Sequence, residues 1–307
     1  MYGKRRIRLP TILIPFFGPQ RESGGQDIFL YLRPETNGVL VESLLFRVIK
    51  GKSRYGEKCQ IVYLANLPGD FIIKNNIIQQ HYAVKIRFAK SGKRAFTPDM
   101  QRKFGEYFNL PFKKAPIIGA FQALKRLKIH YEDLFKIRVP PENFTVICGQ
   151  SIKLYGGYFI VNYDIPALLH KNSRKTDIAV MICRSRLNRR EFHEMVEEMG
   201  EKLLQEKVVA ADRPLARTFH YSNGPFEQIL DGIGYLYDND GNHLDLTEIS
   251  FMRYLLEHDV AADIIIHAIH NPIMRFRTPE GVIEENIFSI TEGITYEAAL
   301  HIFEQRI

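Results

Sequence analysis

The 307-residue chain is 45% hydrophobic and 25% charged, a composition that excludes a disordered tail and fits a protein that buries a core. Its net charge of +7 conceals a split: residues 1–150 carry 26 Lys+Arg against 11 Asp+Glu, a net +15, and the rest a net −8. Three cysteines, Cys59, Cys148 and Cys183, are too few and too scattered for a disulfide framework or a four-ligand zinc site, and their apolar neighbours predict buried thiols in a reducing, cytoplasmic compartment.

Lys4, Arg5, Arg6 and Arg8 precede an apolar stretch, residues 9–17. Pro10 and Pro15 interrupt it, and it has about half the length of a membrane span. Residues 1–26 therefore read as a basic arm and loop, with no membrane span.

Residues 28–33 read as a strand, 37–50 as a helix apolar nearly all round, and 60–67 as a second strand. Asp70 reads as the cap of a helix reaching about residue 81. From Tyr82 the period changes to two: Val84, Ile86 and Phe88 alternate with Lys85 and Arg87, and Ser91-Gly92 supplies a turn, which predicts a basic β-hairpin. Thr97-Pro98-Asp99 opens a helix to about residue 108, and 117–128 reads as an amphipathic helix ending in Lys125, Arg126 and Lys128.

Pro140-Pro141, where the charge balance turns over, marks the expected boundary between a basic domain, 27–139, and an acidic one, 140–307. Strands follow at 144–148, 158–163 and 177–183, then a long helix at 189–206, a strand at 217–221 and a short helix at 225–230. A hairpin at 235–246, a helix opened by Asp245 and Glu248, a strand at 263–269, a hairpin around Thr278-Pro279-Glu280-Gly281 and a helix from Tyr296 complete the chain. Strands and helices mix without a regular alternation, so the expected fold is α+β, with mixed sheets and helices in two domains.

The basic segment 43–128 holds 18 Lys+Arg against four acids. Its clusters are a loop (Arg47, Lys50, Lys52, Arg54, Lys58), the hairpin (Lys85, Arg87, Lys90, Lys93, Arg94) and a helix end (Lys125, Arg126, Lys128). Mobile cations near backbone amides suit phosphate contacts, with Tyr55 or Phe96 available to stack on single-stranded bases.

Other chemistries fit poorly. Proline at 111 and 116 spoils a helix-turn-helix over 101–119. Gly51-Lys52-Ser53 lacks the leading glycine of a P-loop, since Phe46 stands there. Asp238-Asn239-Asp240-Gly241-Asn242 puts Leu236 and Thr247 where a calcium loop needs acids, and His267 and His270 face opposite ways on a strand. Arg184, Arg186, Arg189 and Arg190 form a secondary anion candidate, with Glu191, Glu194, Glu197 and Glu198 as ready partners.

The leading expectation is a binding protein without catalytic, metal or cofactor chemistry, whose basic region takes nucleic acid or an acidic protein surface. An enzyme acting on a phosphorylated or nucleotide substrate is the first alternative, using His220, Ser222 and Arg217, with Asp238 or Asp240, in a cleft between the halves. The second is an assembly protein whose oppositely charged halves pair between copies as a homo-oligomer.

Overall fold

The structure is a computed structural model that describes residues 7–19, 25–33, 36–51, 54–209 and 218–307. In chain order its elements are β1 (Thr11–Ile14), β2 (Gln26–Leu32), α1 (Val39–Lys50), β3 (Cys59–Leu67), α2 (Gly69–Lys74), α3 (Ile77–His81), α4 (Ala83–Ser91), α5 (Pro98–Phe108), β4 (Ile117–Gly119), α6 (Ala120–Leu127) and α7 (Tyr131–Lys136). The chain continues through β5 (Phe144–Ile147), β6 (Gln150–Tyr155), β7 (Tyr158–Val161), α8 (Ile165–Lys171), β8 (Ile178–Ser185), α9 (Arg189–Gln205), β9 (Phe219–Tyr221) and α10 (Pro225–Tyr235). It closes with α11 (Ser250–Glu257), α12 (Ala262–His270), β10 (Ile273–Thr278), β11 (Gly281–Asn286), α13 (Ile287–Ile290) and α14 (Tyr296–Glu304). The fold is α+β.

Contacts group the chain into two compact units, each assembled from separated segments. The first takes Met1–Ile77, Asn172–Ile265 and Thr291–His301; the second takes Ile78–Lys171, Ile266–Ile290 and Ile302–Ile307. Pro140 and Pro141 do not part them. Both fall inside the second unit, where β4 before them pairs with β7 after them.

The first unit is built on an antiparallel sheet in the order β1-β3-β8-β2-β9. Its central strand β8 is buried along almost its whole length, which is why it reads as a continuous apolar run instead of alternating. On α1 the buried residues Val41, Leu44, Leu45 and Val48 recur at helical spacing, and on α9 Phe192, Met195, Val196, Met199 and Leu203 do the same. These two faces pack with Leu30, Leu32, Ile61 and Met181 of the sheet into one core. The stretch expected to be a free basic arm supplies β1 instead, an edge strand bracketed by Pro10 and Pro15, positions an edge tolerates. Arg8 is tied down beside it, bonding Asp70 at 3.1 Å and Asp177 at 2.9 Å. Lys4, Arg5, Arg6 and the loop cation Arg21 lie outside the described residues.

The second unit carries the sheet β4-β7-β6-β5, parallel at β4–β7 and antiparallel elsewhere. The expected hairpin at 85–94 is the helix α4 followed by a 3-10 turn, Gly92–Ala95. Its two-residue apolar rhythm has a different cause. Phe88 packs into a core with Phe96, Met100 and Phe104, whereas Ile86 and Ala89 pack into another with Ile118, Ala120 and Ala123, so one helix serves two cores and shows apolar residues on two sides.

Similar reasons account for the other departures. Residues 117–119 are a buried strand and only 120–127 a helix. The expected helix from 70 to 81 breaks at Asn76, whose φ is 52°, and Asp70 binds Arg8 instead of capping. Residues 263–269 are helical, burying Ile265, Ala268 and Ile269 at helical spacing, so His267 and His270 share a helix and both lie exposed. In place of a hairpin at 235–246 there is a single bridge, Tyr237 to His243.

Candidate anion-binding surfaces

The second unit holds 19 Lys+Arg against 10 Asp+Glu, a net +9, so the rest of the chain is a net −2. Much of this charge lies on α4, the 3-10 turn after it, and α6. These elements meet closely: a Cβ on Gly119, which precedes α6, would collide with the Ala89 carbonyl oxygen of α4. With Ile86, Ala89, Ala120 and Ala123 turned inward, Arg87 and Lys90 on α4, Arg94 on the 3-10 turn, Lys125 and Arg126 on α6 and Lys128 at its C-terminal cap are left exposed. None of these six has an ion-pair partner among the described residues. Arg87 and Arg126 lie 5.6 Å from the ring centres of Phe88 and Tyr158, which steadies their guanidinium groups without neutralising them. The α6 cations also sit at the negative end of the helix dipole, a placement that favours them.

Two members of the expected hairpin cluster differ. Lys85 is half-buried, and Lys93 donates to the carbonyls of Lys113 at 2.8 Å and Ala115 at 3.0 Å, which makes it a turn-holding residue. Neither expected stacking ring is available: Tyr55 and Phe96 are core residues, 1% and 6% exposed.

The loop cluster of the first unit is answered by its own chain. Arg54 lies 2.8 Å from Glu194 and Lys58 2.6 Å from Glu191, both on α9. Arg47 and Lys50 remain exposed without an ion pair, and Lys52 lies outside the described residues. A recess of about 730 Å³ opens beside them, with Lys50, Lys58, Arg184 and Arg186 in its wall. Arg184 is committed there, donating to both oxygens of Asp27 at 2.8 and 2.9 Å and to the Gly18 carbonyl at 2.6 Å.

The enzyme candidates do not assemble into a serine–histidine pair. Ser222 Oγ accepts from the Phe29 amide at 2.9 Å, which holds it in the sheet edge. His220 stacks on Tyr31 at 4.6 Å and turns its Nε2 toward Asp231 at 3.5 Å and Glu227 at 3.8 Å. Burial raises the pKa of Asp231 well above the ordinary carboxylate range, against the pull of Arg33, and burial raises Glu227 while His220 opposes it. Arg217 lies outside the described residues. Asp238 accepts from the amides of Asn242 and Asp240 at 2.8 and 2.9 Å, bonds that lower its pKa against burial and make the segment a turn.

Sequence reading missed Asp231 and Glu227. The available signal was an acid, Asp231, four residues before Tyr235 and so on the same buried side of α10.

Among the described residues no group of three His, Cys, Asp or Glu could hold a metal ion, and no helix is long and apolar enough to cross a membrane. Comparison with protein families, curated proteins and solved structures finds no match.

Proposed function

We propose that this protein binds nucleic acid through phosphate contacts, and that the surface of α4 and α6 in the second unit makes them. The observation that carries this reading is the set of six exposed cations, Arg87, Lys90, Arg94, Lys125, Arg126 and Lys128, on α4, α6 and the residues that follow each of them, with no acid answering them among the described residues. Arginine and lysine held on ordered elements position a phosphate backbone and carry no sequence code, so binding is strong at low salt and indifferent to sequence. With Tyr55 and Phe96 in the core, base stacking plays no part in the reading. The three cysteines are free and buried, which supports a reducing, cytoplasmic setting.

Titration of the full chain against single-stranded RNA, duplex DNA and heparin at two salt concentrations tests this. Six phosphate contacts predict that log affinity for the duplex falls against log salt with a slope of about −5. Absence of binding at low salt, or binding insensitive to salt, refutes the reading.

A further inference from the structure

We propose that a second recess, confined to the first unit and about 350 Å³ in volume, binds a small phosphomonoester on a flat body, of the nucleoside monophosphate class. It lies where the ends of β8 and β9 lead into α9 and α10, and Arg186, Arg189, His193, Tyr221 and Asn223 contribute to its wall. The apolar part is the half-buried ring of Tyr221, held edge to face at 5.4 Å by the core residue Phe192. A planar base or other flat ring can lie on such a surface.

The charged part stands on one face of α9. Arg189 and His193 are four residues apart, so they project on successive turns at the mouth of the same recess. Side chains make this site rather than the helix end, because the α9 terminus is already closed by a capping box between Asn188 and Glu191. Arginine in the first turn of a helix is opposed by the dipole, so α9 gains no stability from placing Arg189 there. The wall also positions it: Gly293, at φ 67°, leaves room for the Arg189 guanidinium, and a Cβ there would sit 2.7 Å from its Nε.

Two acids face the recess. Asp27 is committed to Arg184 and to Ser250, whose hydroxyl donates at 2.5 Å. Glu292 is 3.5 Å from Arg189 and is 46% exposed, so a phosphate dianion replaces it at the mouth while Glu292 turns to water.

Isothermal titration of the full chain with AMP, adenosine and inorganic phosphate tests the assignment. AMP binds; adenosine and phosphate each bind at least about tenfold more weakly, the loss of a charge-assisted contact or of ring burial. Arg189→Ala weakens AMP by about tenfold and Glu292→Gln tightens it, with thermal melts showing that both variants fold. Equal binding of AMP and adenosine, phosphate binding as tightly as AMP, no AMP binding at all, or an Arg189→Ala variant that binds AMP unchanged would each overturn it. The α4 variant Arg87→Glu/Lys90→Glu/Arg94→Glu should leave AMP affinity unaltered, so failure of the nucleic-acid reading and failure of this one are separable.

Discussion

Lys58 Nζ lies 2.6 Å from Glu191 Oε1, which ties a cation of the basic half to an acid of the acidic half within one chain. Arg54 and Glu194 repeat the arrangement at 2.8 Å. The hydrogen bond from Lys58 leads the causes that lower the pKa of Glu191 below its usual value. The opposed charges of the two halves thus meet inside the first unit, and the uncompensated excess is in the second.

Removing those two acids should release the loop cations. Glu191→Gln/Glu194→Gln is expected to strengthen duplex binding a few-fold at low salt and to steepen the salt slope by up to about 2. Glutamine at 191 still serves the capping box, so α9 should keep its start. Fluorescence anisotropy with labelled duplex at several salt concentrations reads both numbers. Unchanged affinity would mean that the loop is no part of the binding surface even when freed.

Asp27 is 4% exposed and takes both hydrogen bonds of the Arg184 fork. Arg184→Met leaves that carboxylate buried beside Ser250 without its countercharge, which should cost about 3–5 kcal/mol. The urea midpoint measures the loss. Adding Asp27→Asn should recover part of it, because the uncompensated charge is then gone; a double variant no more stable than the single one contradicts this.

Lys153 is 1% exposed and donates to the carbonyls of Leu134 at 2.6 Å and Ile137 at 3.0 Å, with its ammonium 3.7 Å from the Tyr163 ring centre. Burial lowers its pKa from 10.5 to about 8, against the pull of Asp164. The unfolded chain therefore binds more protons than the native one between pH 8 and 10.5, and the Lys153 contribution to stability rises with pH across that window. Lys153→Met should abolish this rise. The check is the difference between wild-type and variant urea stabilities from pH 7 to pH 10.5, and a difference that is flat with pH goes against the prediction.

Gly119→Ala places a methyl against the Ala89 carbonyl oxygen, a backbone atom that cannot move without shifting α4. A loss of several kcal/mol, about 3 or more, is expected. Circular dichroism during thermal unfolding measures it. Because the close approach also seats α4 on α6, the variant should lose nucleic-acid affinity along with stability, whereas Lys128→Ala on the surface should lose affinity alone.

Elements with a clear cap or regular apolar spacing were legible from sequence: α9 and the Thr97-capped α5 stand where their spacing and cap place them, and Thr97 does accept from the Met100 amide. α1 also stands where its apolar residues place it, but what reads as apolar nearly all round buries one side and leaves Val39 and Leu40 exposed. The element that carries half of the proposed surface was not legible. α4 lies between two cores, and apolar residues directed at both imitate the alternation of a strand. The Ile264-Ile265-Ile266 run of α12 is ambiguous for the same reason, since an unbroken apolar stretch has no period. Charge gave the location of the candidate site only in part: sequence shows that Arg54, Lys58 and Lys90 are cations, and only the fold brings acids from residues 191 and 194 to the first two.

The most direct measurement is a salt titration of duplex binding by the wild-type chain beside Arg87→Glu/Lys90→Glu/Arg94→Glu. Wild type should show a slope of about −5, and the variant a slope of about half that with much weaker affinity at low salt. Equal slopes and affinities for the two proteins would contradict a nucleic-acid surface on α4 and α6.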